Sequence, residues 1–444
     1  MTHFQNKLQN IIDQYFPSEY YRGGTYLTAI GILSALTSIF VKLLTPISVN
    51  RFPEAIMVIT FLIALYQQRK HIKPGMTALL VATSIIMPIL FFGINYIRDP
   101  YTAVKYMDLD KLLKLFMFVP VAWWLGGKLE NWLKLVVVFF LGLLLAILMT
   151  PELYNISSIL KNGQVPQLEL RNHQHESIYF SVLVLPFIFF SIYLLKFKKY
   201  FLLACSVSMS IIGMLGVIIL QTRATWVALF LAAIITLIIK LFLGKQTKPK
   251  LIAIVAFALL SITTFTIFNN SYHLRARLFA ENKTIILFLK GNYAEIPYSS
   301  LGIRIHSWIE AKDWIAQKPW IGWGLWARAD VIKTSNTLPD RIKEQYGHLH
   351  NSFIEIMIAY GIIGLLFLSL YFILITIISI KIHNIPIGYY SFFFITFYII
   401  ANCTESYIVM WNGVYILSIM FSLPFTMYLG FIEAQKNTSI PTQK

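Results

Sequence analysis

Two imidazoles and a carboxamide stand together in Gly347-His348-Leu349-His350-Asn351, where a polar stretch gives way to the apolar run 353–380. Nine residues further on comes Gly361-Ile362-Ile363-Gly364. His350 falls at or near the first turn of the helix that the apolar run predicts. The positive end of a helix dipole disfavours imidazolium there, and a neutral imidazole is the form that accepts a proton. Two readings fit His350: a general base, or a structural histidine at a membrane edge. His348 and Asn351 are supporting candidates, and Asn351 also suits a simple helix cap. Gly361 and Gly364 fit the close approach of a neighbouring helix, which is packing rather than chemistry.

Two arginines are candidates for holding phosphate. Arg223 lies in Gln221-Thr222-Arg223-Ala224-Thr225, between two apolar runs with almost no loop. A bare arginine inside a span costs roughly 2.5–3.5 kcal/mol on insertion scales, and less at the edge, where the side chain snorkels. At the start of a helix its charge adds to the positive helix end, a combination that suits phosphate. An interfacial anchor fits equally well. Arg304, in Leu301-Gly302-Ile303-Arg304, precedes Trp308 by four residues and shares a face with it if the segment is helical. Its fork can grip phosphate oxygens in two places; a solvated loop charge is the plainer reading.

Two further clusters are weaker. Glu169, Arg171, His173, His175 and Glu176 crowd just before an apolar run. His-x-His with flanking carboxylates can bind metal, but a solvated loop explains it as well. Asp108 and Asp110 are the kind of pair that holds a divalent metal in many enzymes. Here they precede Lys111-Leu112-Leu113 and read as a helix start. No metal site is therefore expected. There is no P-loop, dinucleotide fingerprint or Gly-x-Ser-x-Gly, so a cytoplasmic energy source is unsupported.

The elements that position these residues follow from composition. Of 444 residues, 57% are hydrophobic and 13% charged, and mean hydropathy is +0.67. A soluble domain carries about twice that charged share. The apolar runs have the length of bilayer-spanning helices, about 17–25 residues. The expectation is an all-α integral membrane protein. Its net charge of +17 fits loops that set orientation rather than a nucleic-acid surface. Cys205 and Cys403 are expected to pack as small hydrophobes. The first 25 residues are polar, without the charged-then-apolar start of a signal peptide. Phe4, Leu8, Ile11, Ile12, Tyr15 and Phe16 form one stripe, either of a surface helix or of a frayed tail.

Twelve spans are predicted, at 26–45, 51–66, 77–96, 112–126, 132–149, 177–195, 200–220, 224–243, 251–268, 350–380, 387–402 and 411–432. One set of short loops holds Arg69, Lys70, Lys73, Lys128, Lys134, Lys196, Lys198, Lys199, Lys245, Lys248, Lys250 and Lys381. The opposite set holds fewer. Positive charge stays inside, so residues 1–25 and 433–444 are expected in the cytoplasm. Residues 269–349 then form one large outer loop, and loops of that length are usually functional. Ile305, Trp308, Ile309 and Ile315 make a helical stripe in it. Trp308, Trp314, Trp320, Trp323 and Trp326 suit a loop lying on the membrane. Pro319-Trp320-Ile321-Gly322-Trp323-Gly324 reads as a turn.

The His350-Asn351 motif, with its nine-residue spacing to Gly361-x-x-Gly364, resembles the histidine motif of lipid A core–O-antigen ligases. The wider family also holds O-antigen polymerases and pilin-type oligosaccharyltransferases. Thr222-Arg223-Ala224 is similar to that family's Ser-Arg-Gly between two spans; Thr and Ala depart from it, and the arginine stays. Gly302-Ile303-Arg304, followed by Trp308 and 319–324, resembles the arginine-bearing start of the large loop and its Pro-to-Gly turn. Residues 171–177 resemble a His-rich approach to the sixth span. The likeness covers residues 165–430, and the first 160 match in hydropathy alone.

The resemblance implies a glycosyltransferase C-like fold in the bacterial inner membrane, with its active site facing the periplasm. The donor it implies is a glycan on undecaprenyl pyrophosphate, and the acceptor is the lipid A core. Arg223 and Arg304 then hold the pyrophosphate and stabilise the leaving group. His350 orients or deprotonates the attacking hydroxyl. Inversion at the anomeric carbon and no metal or other cofactor complete the expectation. A polymerase with a second lipid-linked glycan as acceptor, and a protein oligosaccharyltransferase, share that donor site. A transporter explains twelve spans but not the large loop ending at His350.

Overall fold

The computed structural model describes residues 2–45, 47–70, 75–150, 177–220, 222–243, 276, 279–382 and 385–438. Every regular element among them is helical. Helices satisfy their own backbone groups, which lipid cannot do. In chain order the helices are α1 (Thr2–Tyr15), α2 (Thr25–Val41), α3 (Ile47–Gln67), α4 (Met76–Arg98), α5 (Pro100–Tyr106), α6 (Lys111–Lys114), α7 (Phe118–Leu125), α8 (Leu129–Leu148), α9 (Ser177–Leu183), α10 (Pro186–Lys196), α11 (Tyr200–Ile219) and α12 (Arg223–Leu243). The large loop then contributes α13 (Asn282–Leu289), α14 (Ser300–Gln317), α15 (Ala327–Lys333) and α16 (Asp340–Gln345). The chain closes with α17 (Ser352–Lys381), α18 (Ile385–Asn402), α19 (Trp411–Met420) and α20 (Ser422–Thr438).

Among the described residues, eight helical stretches are long and apolar enough to cross a membrane, and Thr25–Val41 and Ile387–Asn402 are shorter apolar helices. The protein is an all-α integral membrane protein. Ten of the twelve expected spans coincide with helices; 251–268 lies outside the described residues. The expected fourth span, 112–126, is instead broken into α6 and α7. Eight residues of α7 rise only about 12 Å, against a hydrocarbon core of about 30 Å. Gly126 ends α7 at φ 67. The break leaves the Leu115 carbonyl without a helical partner, and the buried Tyr371 hydroxyl donates to it at 2.9 Å.

The N-terminal segment is built in rather than frayed. Ile12 is buried, and Leu8 and Phe16 pack against the core, while Phe4, Ile11 and Tyr15 stay exposed. Arg22 donates to the Trp124 carbonyl at 2.9 Å, and Tyr20 to that of Trp123 at 2.9 Å. Gln68, just past the end of α3, donates to the Tyr21 carbonyl at 2.6 Å. Gly127 meets Gly430 of α20 backbone to backbone. Both terminal segments therefore gather at one end of the bundle, beside Arg69 and Lys128. The large loop sits at the other end: α4 begins at Met76, after the segment that holds Gln68, and Asn95 in its last turn donates from Nδ2 to the Gly322 carbonyl at 3.1 Å. Cys205 is half-buried as expected, but Cys403 is exposed in the turn after α18.

Gly361 receives the loop, not a neighbouring helix. It breaks α17 with φ 64 and ψ −161. The break frees the carbonyls of Ile358 and Ala359 and the amides of Ile362 and Ile363, which would otherwise pair i to i+4. The 319–324 turn completes that ladder. Trp323 and Gly324 donate to the Ile358 and Ala359 carbonyls at 2.7 and 3.0 Å. Ile362 and Ile363 donate to the Pro319 and Trp320 carbonyls at 2.8 and 3.3 Å. A Cβ on Gly361 would lie 2.2 Å from the Trp320 backbone, and one on Gly322 2.5 Å from that of Ala359. Only glycine on both sides allows this contact, and both have positive φ.

The loop has its own apolar core, in which Ile303, Ala311, Val331, Ile332 and Ile342 close over Leu349 and Ile358. The tryptophans divide accordingly. Trp314 and Trp323 pack edge to face at 5.2 Å, while Trp320 and Trp326 are exposed. Trp308, Trp314 and Trp323 are half-buried against this core.

Candidate active site

α17 begins at Ser352. The Asn351 side chain caps it by accepting from the amides of Phe353 and Ile354 at 3.0 and 3.2 Å. Its Nδ2 donates to the Cys403 carbonyl at 3.0 Å. Ser352 donates from its backbone amide to the Glu405 carbonyl at 3.2 Å, and Asn402 accepts from the Ile408 amide at 2.8 Å. The connection between α18 and α19 is thereby strapped onto the start of α17.

That strap brings a carboxylate to His350. Nδ1 of His350 stands 3.1 Å from Oε2 of Glu405, and both side chains are buried. A carboxylate accepts, so Nδ1 carries the proton that lies between the two groups. Oε1 of the same carboxylate accepts from Arg304 Nη2 at 2.6 Å. His350 has φ 52, a conformation that non-glycine residues adopt rarely and that concentrates at functional sites.

Arg304 projects from α14, whose start is capped by Ser299 accepting from the Gly302 amide at 3.2 Å. Trp308, on the same face, donates from Nε1 to the Leu349 carbonyl at 2.8 Å. One helix face thus reaches both Glu405 and the residue preceding His350. The Arg304 Nε is buried with no protein partner, leaving it a donor for a ligand oxygen.

Arg223 stands in the first turn of α12 and pairs with Glu281 at 2.9 Å. Glu281 also accepts from the Leu301 amide at 3.4 Å, from Thr284 at 3.2 Å and from Ser299. Burial alone would raise its pKa. The hydrogen bonds from Ser299 and Arg223 outweigh that and hold it below the usual carboxylate value. Glu281 therefore ties Arg223 to the turn of α14 that precedes Arg304, about 4.5 Å along the helix axis from Leu301 to Arg304.

The remaining sequence candidates divide. His348 lies against His350, ring centroids 4.0 Å apart with the rings tilted at 54°. Arg171, His173 and His175 lie outside the described residues. Asp108 accepts from the Lys111 amide at 3.0 Å and Asp110 pairs with Lys114 at 2.6 Å, both as a helix start requires. His348, His350 and Glu405 each offer a ligand atom, all within 4.8 Å of one another. Two imidazoles and a carboxylate can hold a divalent transition metal. The Arg304 guanidinium already occupies that carboxylate, and like charge opposes a second cation there.

Glu281, Glu355 and Glu405 were not singled out from the sequence. Glu355 lies in the first turn of an apolar run and Glu405 in the short link between two others. An ionisable residue in such a setting is itself a signal of function. Glu281 carries no comparable signal.

Residues 208–369 match the family model described as O-antigen ligase. This stretch is a domain of the O-antigen ligase family. No curated protein matches the chain. The ligase-family domain holds Arg223, Glu281, Arg304, Arg328, His350 and Glu355; residues 1–207 and 370–444, with Glu405, lie outside the matched stretch. The chain is a multi-pass membrane protein whose residues 208–369 are similar to the O-antigen ligase family.

Proposed function

We propose that the protein is an O-antigen ligase of the bacterial inner membrane, transferring a glycan from undecaprenyl pyrophosphate to a sugar hydroxyl of the lipid A core. One observation carries the reading: the buried Glu405 carboxylate joins the Arg304 guanidinium to Nδ1 of His350. Arg304 and Arg223 hold the pyrophosphate. Each is preorganised by a carboxylate through one nitrogen, and Arg304 keeps further donors for phosphate oxygens. Nε2 of His350 takes the proton of the acceptor hydroxyl as its oxygen attacks the anomeric carbon. The bond from that carbon to the pyrophosphate breaks on the opposite face, so configuration inverts. Glu405 stabilises the imidazolium that forms, and the arginines stabilise the departing undecaprenyl pyrophosphate. Arginine charge does the work a metal does elsewhere, so the reaction is metal-independent.

The lysine-rich end of the bundle, where both terminal segments gather, faces the cytoplasm, and the site faces the periplasm. The deciding experiment is a null strain. Accumulated lipid-linked O-antigen without lipopolysaccharide attachment supports the ligase. Lipopolysaccharide bearing a single repeat assigns a polymerase, and loss of glycan from a protein assigns an oligosaccharyltransferase; either replaces the reading.

A further inference from the structure

Behind the His350–Glu405 pair lies a second buried carboxylate that the proposed chemistry does not use. Glu355, one turn into α17, is fully buried. Its Oε1 accepts from the Leu349 amide at 2.7 Å and from the Ser406 hydroxyl at 2.6 Å. Its Oε2 pairs with Nη1 of Arg328 at 2.7 Å. Leu349 precedes His350, and Ser406 follows Glu405. One carboxylate therefore grips the chain beside the base and beside the group that orients it. Arg328 comes from α15, which follows directly on the 319–324 turn seated against Gly361.

The backbone geometry requires such a grip. His350 is held at φ 52, a conformation that costs of order 1–3 kcal/mol and persists only where its surroundings over-determine it. Leu349 is fixed at both backbone groups, its amide by Glu355 and its carbonyl by Trp308. Asn351 is fixed as the cap of α17. Without Glu355 the chain before His350 loses its amide partner, and Ser406 loses its hold on α17.

We propose that Glu355 is the positioning residue for His350 and Glu405, and that Arg328 makes this alignment conditional on a seated loop. The proposal rests on His350 being the base. Glu355 touches no reacting atom. It fixes the direction in which Nε2 points, and Arg328 supplies the charge that keeps a carboxylate in a buried place. A loop that lifts from Gly361 takes Arg328 with it and disorganises the base.

The test is steady-state transfer by the full-length protein, purified in detergent, with lipid-linked glycan donor and rough lipopolysaccharide as acceptor. Glu355→Gln keeps the shape and loses the charge. It should lower kcat about 10–100-fold, the scale of a misplacement near 1 Å. Donor KM should stay within about 2-fold, since the arginines are untouched, and the acid limb of the pH–kcat profile should move with the altered His350 environment. Arg328→Lys should retain more turnover than Arg328→Met. Glu355→Gln added to His350→Ala should cost nothing further, because both act through one group.

A well-folded Glu355→Gln protein with unchanged kcat and pH profile overturns the proposal, as does full additivity with His350→Ala. If Glu355→Gln does not accumulate, Ser406→Ala and the Arg328 pair carry the test by the same readouts. Full turnover by His350→Ala defeats the base itself, a separate outcome from either.

Discussion

The Glu405 carboxylate stands 3.1 Å from His350 although 55 residues separate them. It is buried, it faces Nδ1, and its other oxygen holds Arg304. An imidazole and a guanidinium thus share one anion, so charge that develops on either is felt by the other.

Replacing His350 by Ala should lower turnover about 10²–10⁴-fold, the usual worth of a general base. Donor binding, measured separately, should be nearly intact. Glu405→Gln keeps the shape but removes the charge facing the imidazolium, so it should fall between wild type and His350→Ala. A donor affinity lost in parallel with turnover in His350→Ala would assign the histidine to binding.

The arginines should behave differently. Arg304→Ala and Arg223→Ala should weaken donor binding as well as turnover. A hydrogen bond to a charged group is worth about 1.5–3 kcal/mol, which is roughly 10–100-fold in affinity. Lysine should rescue only in part, because it lacks the fork. Titration of each purified variant with lipid pyrophosphate checks this; unchanged affinity in both alanine variants contradicts the donor site.

Chelation should leave activity in place. The Arg304 guanidinium already neutralises Glu405, and Asp108 accepts from the Lys111 amide at the start of α6. Purified protein in EDTA should still transfer glycan. Loss that magnesium or manganese restores would direct attention to His348, His350 and Glu405 as metal ligands.

Gly361→Ala should undock the loop. Its φ is 64, and a Cβ there would lie 2.2 Å from the Trp320 backbone. The cost should exceed about 1 kcal/mol, with faster proteolysis of 319–345 and reduced turnover. Gly347→Ala is the control, since nothing lies within 4 Å of its Cβ position. Equal protease resistance in the two variants would show that the turn is not held at Gly361.

Reporter fusions at Asn292 and Lys444 should lie on opposite sides of the membrane, because the loop and the terminal segments occupy opposite ends of the bundle. Fusions reporting the same side would defeat this topology and the site with it.

Hydropathy by itself determined the all-α membrane fold and nearly every long helix, because each apolar run must bury about 30 Å of its own length in lipid. It also marked the cap at Asn351 and the shared face of Arg304 and Trp308, since both depend on neighbours within one helical turn. The broken fourth element was beyond it: the stretch 112–126 is as apolar as a span, and the carbonyl freed at its break is served by Tyr371, 256 residues away. Gly361 was legible as a close contact, but not its partner, for a missing Cβ does not say which backbone fills the space. The carboxylates were decided by tertiary structure alone. Glu281, Glu355 and Glu405 gain their roles from Arg223, Arg328, Arg304 and His350, which lie 27 to 101 residues away. Such pairing depends on which helix ends meet, and a local pattern carries no record of that; the folded chain brings the charges together because a buried charge is tolerated only when paired.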